Sequence, residues 1–181
     1  MAPIGLISDT HGRHLLTRQA VRILLAAGAG ELIHLGDVGT CAVLEELLVA
    51  TPGPDSDGDS QRLQTLPVHL VFGNADGDIS NLARYARELG LDVQHPAGRL
   101  TLEDGRSLAF THGHDRRLLA AALEEHVAYL CHGHTHRAAD THQGPTRIIN
   151  PGALCRAARY SVALLDTAQD RLTFLEVPHG D

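Results

Sequence analysis

The segment Cys131-His132-Gly133-His134-Thr135-His136 carries the side chains best suited to chemistry. It follows an apolar run over residues 127–131 that predicts a buried strand, and packing alone would not select histidines around a glycine at its end. Neutral imidazole is the commonest metal ligand in proteins. Because His134 and His136 are two residues apart, an extended or tightly turned backbone can direct both rings towards one pocket. Taken alone, the segment predicts either part of a metal site or a polar loop that happens to contain histidines.

Other predicted strands also end in polar loops with metal-capable side chains. Asp9 and His11 follow the first strand, Asp37 the second, Asn74 the third, and His112 a later one. In open α/β sheets, ligands bind beyond the carboxyl ends of the strands. Each loop by itself is more typical of a turn. Several such loops in one chain are hard to explain as turns, so they predict a single site at the strand ends.

The donor types of these loops indicate which metals would fit. Seven donor side chains are too many for one tetrahedral zinc, whose sites take three or four protein ligands. Two metals that share one carboxylate fit better. Mixed carboxylate, amide and imidazole donors suit Mn, Fe, Zn or Ni more than Ca or Mg. Because no cysteine is among them, a thiolate zinc centre is disfavoured.

The elements that must position these side chains begin as strand–loop–helix units. Apolar runs predict buried strands over residues 4–8, 32–35 and 68–72. Each is followed by helical spacing, over residues 15–27, 41–49 and 80–89.

After residue 89 the sequence pattern changes from strand–loop–helix units to β-hairpins. A hairpin turns at Asp104-Gly105, because Asp-Gly supplies the left-handed residue that a tight turn needs. The remaining predicted elements are strands at 99–102 and 107–111, a helix at 115–126, and strands at 127–131, 147–149, 160–165 and 172–177. We therefore expect an α/β fold in which two sheets pack together with helices on the outside.

Length and composition predict one domain over residues 1–181. A chain of this size buries roughly 70% of its unfolded surface, enough for an ordinary core. Residues 51–64 are rich in Pro, Gly, Asp and Ser, so they cannot bury enough apolar surface to offset the entropy of ordering. We predict a mobile surface loop there. Its acidic residues lack the spacing of a calcium-binding loop.

Charge and residue usage exclude several classes of function. The net charge of −7 disfavours adhesion to nucleic acid or anionic membranes, and no aromatic-rich basic groove for nucleic acid is visible. Every basic side chain is an arginine, so a P-loop nucleotide site and Schiff-base chemistry both lack their lysine. No run approaches the roughly 18 apolar residues of a membrane span.

The three cysteines are too few for a disulfide framework and suit buried hydrophobic positions. Because the N-terminus lacks signal-peptide features, we expect a cytoplasmic protein.

Five short motifs, in this order, resemble those of the calcineurin-like metallophosphoesterases: Asp-x-His at 9–11, Gly-Asp at 36–37, Gly-Asn at 73–74, His-Gly-His at 112–114 and Gly-His-Thr-His at 133–136. Within that superfamily the chain resembles the small YfcE-type phosphodiesterases, which are related to the retromer scaffold subunit Vps29. The resemblance covers residues 9–152. It implies a four-layer α-β-β-α sandwich with two mixed sheets and helices on the outer faces.

The resemblance also implies a dinuclear site and a reaction. The first metal would be held by Asp9, His11, Asp37 and His136, and the second by Asn74, His112, His134 and the shared Asp37. Asn74 would also lie close to the phosphate. Two divalent ions, manganese first and Ni, Zn or Fe as alternatives, would share a bridging hydroxide that attacks a small-molecule phosphate ester. A phosphodiester is the expected substrate.

The chain departs from the family at Ala75, where relatives carry a histidine or cysteine after Gly-Asn. Alanine can neither donate a proton nor bind metal. His114 is our candidate for the acid that protonates the leaving group, and its alternative role is support of the metal ligands. Asp76 either orients a ligand or forms a turn. Arg13 and Arg137 follow ligand motifs closely, so they either contact the substrate or form surface salt bridges.

A noncatalytic, protein-binding scaffold of the Vps29 kind is the alternative function. Its distinguishing feature would be a damaged ligand set, whereas all seven predicted ligands are present in this chain. A homo-oligomer is compatible with the sequence, which shows no distinctive interface.

Overall fold

The computed structural model describes residues 2–52 and 63–178. Along these residues the elements are β1 (Ile4–Ile7), α1 (His14–Ala26), β2 (Glu31–Leu35), α2 (Cys41–Glu46), β3 (Ala50–Pro52), β4 (Leu63–Thr65), β5 (Val68–Val71), α3 (Ile79–Glu88), β6 (Asp92–Val93), β7 (Ala97–Thr101), β8 (Ser107–Thr111), α4 (Arg116–Glu124), β9 (Tyr129–Cys131), β10 (Ala139–Gln143), β11 (Thr146–Asn150), β12 (Ser161–Asp166) and β13 (Arg171–Glu176). No helix within these two ranges is long and apolar enough to cross a membrane.

Two mixed sheets form the centre of the fold. One has the strand order β13-β12-β1-β2-β5-β6, and the other has the order β10-β11-β9-β8-β7. In the first sheet β1, β2, β5 and β6 run parallel, while β12 is antiparallel to β1. In the second, β8, β9 and β11 run parallel and the edge strands are antiparallel. The expectation of two mixed β-sheets is confirmed.

Alternation along the strands sends side chains to two different cores. Leu6 and Leu35 lie between the sheets, where they pack with Phe110 and Tyr129 of the second sheet. Ile7 and Leu32 point to the opposite face of the first sheet. Because both faces are covered, β1 and β2 are almost entirely buried, which explains their near-continuous apolar sequences.

The helices cover the outer faces of both sheets. Leu24 of α1, Leu44 of α2 and Leu82 of α3 are buried in the cluster on the outer face of the first sheet. Ala122 of α4 packs on Ala109 and Leu130 at the outer face of the second. The order of layers is therefore helix, sheet, sheet, helix, as expected from the resemblance.

Two details differ from the sequence-based expectations. The helix predicted over 41–49 ends at Glu46. After this residue the backbone hydrogen bonds join residues three apart, such as Leu47 N–H to Leu44 O, and strand β3 begins at Ala50. The segment 51–64, predicted as a loop, begins and ends in strand, since β3 pairs antiparallel with β4. Residues 53–62, on which the rest of that prediction falls, lie outside the described residues.

The cysteines behave as expected for small hydrophobic residues. All three are free thiols, and Cys131 and Cys155 are buried. Burial raises the pKa of the Cys131 thiol to about 12, so this side chain stays protonated and packs between the sheets.

His69 of β5 is bracketed by two carboxylates. Its Nε2 lies 2.6 Å from Glu31 Oε1, and its Nδ1 lies 2.7 Å from Asp92 Oδ2. The imidazole is only 13% exposed. Burial opposes protonation, but the two carboxylates outweigh it and raise the pKa of His69.

We expect the stability advantage of the native chain over His69→Gln to disappear as the pH rises. Because the folded state favours the protonated imidazole, its contribution is complete below the ordinary pKa near 6.5 and is lost above the raised pKa of the folded state. Solvent screens Asp92, so the contribution is about 1 kcal/mol or less. Urea unfolding of both chains between about pH 5.5 and pH 9 measures it. A difference that does not change with pH would contradict the assignment.

Candidate metal centre

The loops that follow β1, β2, β5, β8 and β9 meet at one edge of the two sheets. Neighbouring strands hold them together, with Asp9 N–H donating to Gly36 O and Gly133 N–H donating to His112 O, both at 3.0 Å. Two bonds then join the sheets: His112 Nδ1–H donates to Leu35 O at 2.8 Å, and His134 N–H donates to Asp9 Oδ2 at 3.0 Å. The predicted convergence of these loops is therefore present.

Four of the predicted ligands form a tight cluster. Asp9, His11, Asp37 and His136 each offer a ligand atom within 4.8 Å of the others. His136 Nε2 lies 3.1 Å from Asp9 Oδ1, and His11 Nε2 lies 3.5 Å from Asp37 Oδ2 and 3.4 Å from His136 Nε2. This is the same set that the resemblance assigns to the first metal.

His112 and His134, which the resemblance assigns to the second metal, lie beside this cluster in a looser arrangement. His112 Nε2 is 3.4 Å from Asp37 Oδ2, and the rings of His112 and His134 are 5.2 Å apart between centroids. Asn74 is exposed in the loop after β5. Asp37 thus faces imidazoles of both sets, which is the position that a shared carboxylate requires.

Hydrogen bonds to the second atom of each side chain fix the orientation of several of these groups. Ser8 Oγ–H and the His134 amide both donate to Asp9 Oδ2, at 2.6 and 3.0 Å. His112 donates through Nδ1 to Leu35 O, and His136 donates through Nδ1 to Cys155 O at 2.7 Å. In the neutral form of each ring, Nε2 is then the nitrogen without a proton, and in both histidines this atom faces a carboxylate, that of Asp37 or Asp9.

Two of the inward-facing atoms are buried without a hydrogen-bond partner. Among the buried side-chain atoms of the described residues, these are Asp9 Oδ1 and His112 Nε2. A buried polar atom without a partner costs about 1–3 kcal/mol, so such atoms call for an explanation. A divalent cation would satisfy both, and the carboxylate and imidazole donors are those that Mn, Fe, Ni and Zn accept. The residues present therefore fit a metal centre.

The Asp37 carboxylate is held in its ionised form. Burial opposes ionisation, but its contact with His112 and a 2.9 Å hydrogen bond from the Ala75 amide lower its pKa to about 2. Burial also opposes protonation of His112, and the nearby Asp37 charge outweighs this and raises the pKa of His112. At neutral pH the centre therefore presents a carboxylate that is ready to bind a cation.

His34 lies close to these loops but takes no part in the cluster. Burial is the main reason that its pKa falls to about 3, so the ring is neutral. Its Nε2 lies 3.1 Å from Thr10 Oγ1, and its Nδ1 accepts a hydrogen bond from the Gly36 amide at 3.2 Å. His34 is therefore a hydrogen-bonded residue of the core.

The backbone is strained at most of these positions. Asp9, His11, Asp37, His134 and His136 all adopt positive φ angles, between 46° and 68°. Left-handed backbone costs a non-glycine residue roughly 1–2 kcal/mol, although Asp and His tolerate it better than most. Strain of this kind persists where the surrounding structure demands it, and it concentrates at functional sites.

Two glycines allow the loops to approach each other. A Cβ on Gly73 would overlap Asp37 Oδ1 and lie 2.7 Å from His112 Nε2. A Cβ on Gly133 would overlap Ser8 Oγ and lie 2.7 Å from Asp9 Oδ2. The absence of a side chain at these positions is therefore what lets the neighbouring carboxylates reach the centre.

Asp76 forms a turn, as one of its two predicted roles requires, and its side chain also joins two loops. Its backbone N–H closes a turn to Gly73 O at 3.4 Å. Its buried carboxylate accepts hydrogen bonds from the amides of Gly73 at 2.8 Å and Gly39 at 2.7 Å. Since Gly39 lies in the loop that carries Asp37, Asp76 ties the loops after β2 and β5 together.

The other residues singled out from the sequence lie around the rim. His114 is exposed, with its ring 5.4 Å from that of His112 and 6.2 Å from that of His134 between centroids. Arg13 donates from Nη1 to the Tyr160 hydroxyl at 3.0 Å. Arg137 lines a groove beside His136. These arginines do not form the salt bridges that were the alternative explanation, within the residues described.

Sequence reasoning missed the groups that orient the side chains of this cluster. The carbonyls of Leu35 and Cys155 act through the backbone, so their residue types carry no signal. Ser8 could have been found, because a hydroxyl directly before a buried aspartate is a natural donor to it.

The chain is similar to several known proteins. Residues 3–170 match the model of the calcineurin-like phosphoesterase superfamily domain. Phosphodiesterase MJ0936 of Methanocaldococcus jannaschii is 24% identical over 156 residues, which cover 84% of each chain.

Solved structures share the fold over almost the whole chain. A novel archaeal phosphodiesterase has a TM-score of 0.79 at 22% identity, covering 97% of this chain and 99% of its own. The phosphoesterase YfcE of E. coli has a TM-score of 0.65 at 22% identity, covering 98% and 100%. Vps29 of Entamoeba histolytica, in complex with Zn²⁺, has a TM-score of 0.58 at 21% identity, covering 97% and 91%.

Proposed function

The chain belongs to the calcineurin-like phosphoesterase superfamily, and we propose from this that it is a metal-dependent phosphodiesterase acting on a small-molecule phosphate ester. The observation that carries the proposal is the cluster of Asp9, His11, Asp37 and His136, whose inward Asp9 Oδ1 is buried without a hydrogen-bond partner. The curated relative MJ0936 is itself a phosphodiesterase.

We propose that the centre holds two divalent cations. Asp9, His11, Asp37 and His136 would hold one of them. Asn74, His112, His134 and the shared Asp37 would hold the other, supported by the 3.4 Å separation of His112 Nε2 and Asp37 Oδ2. When bound, such a pair supplies a nucleophilic hydroxide at neutral pH and positive charge for the phosphoryl oxygens.

Residues of the chain prepare this chemistry in two ways: a carboxylate stays ionised, and imidazole rings are held in fixed orientations. Asp37 stays ionised because its pKa is about 2, and hydrogen bonds to main-chain carbonyls fix the rings of His112 and His136. The exposed Asn74 amide would donate to an oxygen of the bound phosphate. Because these groups are set before substrate arrives, little reorganisation remains for the reaction.

Manganese is the cation we propose first, with Ni, Zn and Fe as alternatives. Each accepts mixtures of carboxylate, amide oxygen and imidazole, whereas Ca and Mg prefer oxygen ligands alone. Vps29 of Entamoeba histolytica, which shares the fold, forms a complex with Zn²⁺.

Departure of the leaving group depends on the loop at Ala75. This position contributes only its backbone amide, which donates to Asp37 Oδ1. We propose His114 as the proton donor, since its exposed ring lies 5.4 Å from that of His112 and faces solvent that can resupply the proton. Substrates whose leaving groups need little protonation, such as aryl diesters, should be favoured.

A noncatalytic scaffold is the second candidate function, and its support is the similarity to Vps29. Since that protein forms a complex with Zn²⁺, metal binding alone does not separate the two functions. Hydrolysis does. We also propose that residues 1–181 form one cytoplasmic domain, and the homo-oligomer stays a prediction.

The proposed function is tested by measuring the metal content and the phosphodiesterase activity of the same protein. We expect inductively coupled plasma mass spectrometry to find about two metal ions per chain after incubation with Mn²⁺ and removal of excess. The loaded protein should hydrolyse bis-p-nitrophenyl phosphate, and chelation should abolish this until Mn²⁺, Ni²⁺ or Zn²⁺ is restored. A folded protein that binds metal but hydrolyses nothing would favour the scaffold function.

A further inference from the structure

A groove of about 800 Å³ opens beside His136. Its walls come from three segments, residues 135–138, 156–161 and 174–176. This volume lies within the range of roughly 300–1,000 Å³ that is typical of small-molecule sites. Because His136 belongs both to its lining and to the metal cluster, the groove adjoins the cluster.

The groove is basic although the protein is acidic. Arg137, Arg156 and Arg159 line it, and Glu176 is the one acid in its lining. None of the three arginines makes a salt bridge or side-chain hydrogen bond with any residue that the structure describes. By contrast, Arg147 is held by two aspartates. Exposed guanidinium groups that are not neutralised by carboxylates are suited to bind phosphate.

Two aromatic side chains lie in the same groove. Tyr160 is buried, with its hydroxyl accepting from Arg13, whereas Phe174 is 41% exposed. The chain contains only three tyrosines and three phenylalanines, so this one groove holds two of the six aromatic side chains of these types. An exposed aromatic face beside arginines provides a stacking surface for a flat ring such as a nucleobase.

The segment that carries two of these arginines also supports the metal cluster. The Cys155 carbonyl accepts from His136 Nδ1 at 2.7 Å, and the Leu154 amide donates to the Asp9 carbonyl at 3.3 Å. Arg156 follows directly, with a positive φ of 50° that turns the chain at the edge of the groove. A phosphodiester with its reacting phosphate at the cluster would therefore extend one ester group between these arginines.

We propose that this groove selects phosphodiesters in which one ester group is a nucleoside bearing a second phosphate. The inference rests on the proposed function, since it assigns the part of the substrate beyond the reacting phosphate. The nucleobase packs against Phe174, and the second phosphate lies among Arg137, Arg156 and Arg159. In the reaction, water adds to phosphorus and the bond from phosphorus to the other ester oxygen breaks. That ester group leaves as an alcohol that takes up one proton of the water, and the nucleoside bisphosphate is released with both phosphates intact.

Two matched substrates test this selection. Both are p-nitrophenyl esters of thymidine 5′-phosphate, and only one carries an additional 3′-phosphate. With the Mn²⁺-loaded native chain we expect kcat/KM to be at least about tenfold higher for the 3′-phosphorylated ester, mainly through a lower KM, since charge-assisted bonds to phosphate are worth that much. In Arg156→Gln/Arg159→Gln the ratio should fall close to one.

Two further variants separate charge from stacking. Arg87→Gln/Arg116→Gln removes the same charge from exposed positions on α3 and α4, and it should keep the native ratio. Phe174→Ala should raise KM for both thymidine esters alike and leave their ratio unchanged. A change of the ratio in the α3 and α4 variant would point to overall charge instead of the groove and would overturn the proposal.

The outcomes distinguish failure of the groove from failure of the proposed function. If bis-p-nitrophenyl phosphate is hydrolysed but the native ratio is near one, or survives in Arg156→Gln/Arg159→Gln, the groove proposal is wrong and the function stands. If no diester is hydrolysed, the proposed function fails. Calorimetric binding of thymidine 3′,5′-bisphosphate and thymidine 5′-phosphate to the same chains then still decides whether the groove prefers the second phosphate.

Discussion

Replacing Asp37 by asparagine is expected to lower kcat/KM for bis-p-nitrophenyl phosphate by about a thousandfold or more, a loss of about 4 kcal/mol of transition-state stabilisation. Asp37 Oδ2 lies 3.5 Å from His11 Nε2 and 3.4 Å from His112 Nε2, so it is the carboxylate that both proposed metal sets share. Asparagine keeps the size of the side chain and removes its charge. Both cations should therefore bind more weakly.

Metal binding and folding need to be measured together for this variant. We expect metal content to fall below one ion per chain, and the rise in melting temperature on adding Mn²⁺ to shrink, because ligand binding stabilises only the folded state. Circular dichroism should remain that of the native chain. Asp104→Asn, in the exposed turn between β7 and β8, is the matched control and should behave as native. An Asp37→Asn protein that keeps two ions and more than a tenth of the activity would show that Asp37 is not the shared ligand.

Replacing Gly73 by alanine is expected to cost about a hundredfold or more in activity without removing any ligand. Its Cβ would overlap Asp37 Oδ1 and lie 2.7 Å from both the Asp37 amide nitrogen and His112 Nε2. Contacts this short cannot persist, so Asp37 and His112 must move apart. Displacement of about 1 Å at a reacting centre commonly costs about a hundredfold in rate. Overpacking should also destabilise the fold by about 1–3 kcal/mol.

Gly77→Ala offers a matched control in the same loop. No atom lies within 4 Å of a Cβ built on Gly77, so this substitution should leave activity and metal content near native. Steady-state kinetics, metal content and urea unfolding of the two variants make the comparison. Equal activity in Gly73→Ala and Gly77→Ala would mean that the close packing of the loops after β2 and β5 does not control the centre.

Much of the fold could be predicted because its local signals agree. The near-continuous apolar runs of β1, β2 and β5 reflect strands that are covered on both faces. The Asp104-Gly105 turn correctly predicted the hairpin of β7 and β8. By contrast, β6 has only two residues, and its pairing with β5 depends on tertiary contacts that leave no periodicity in the sequence.

The candidate site was predictable to the extent that it consists of unusual residue types at strand ends. His11 and His136 are 125 residues apart, yet each follows a recognisable strand, so their meeting could be expected from the topology. The supporting contacts could not be. The Cys155 carbonyl has no residue-type signal, and the groove joins Arg137 with Arg156 and Phe174 from segments that share no motif.

The loops that carry the proposed ligands are distributed over both sheets, and this has a consequence for the order of folding. Asp9, His11 and Asp37 belong to the first sheet, while His112 and His136 belong to the second, so no single sheet holds a complete set. Pairing between such distant segments forms late, after loop closure has been completed. Bound cations are therefore expected to stabilise mainly the states in which the two sheets have come together. Interactions that are absent from the folding transition state change mainly the unfolding rate. We therefore expect bound cations to slow unfolding and to lengthen the lifetime of the folded protein.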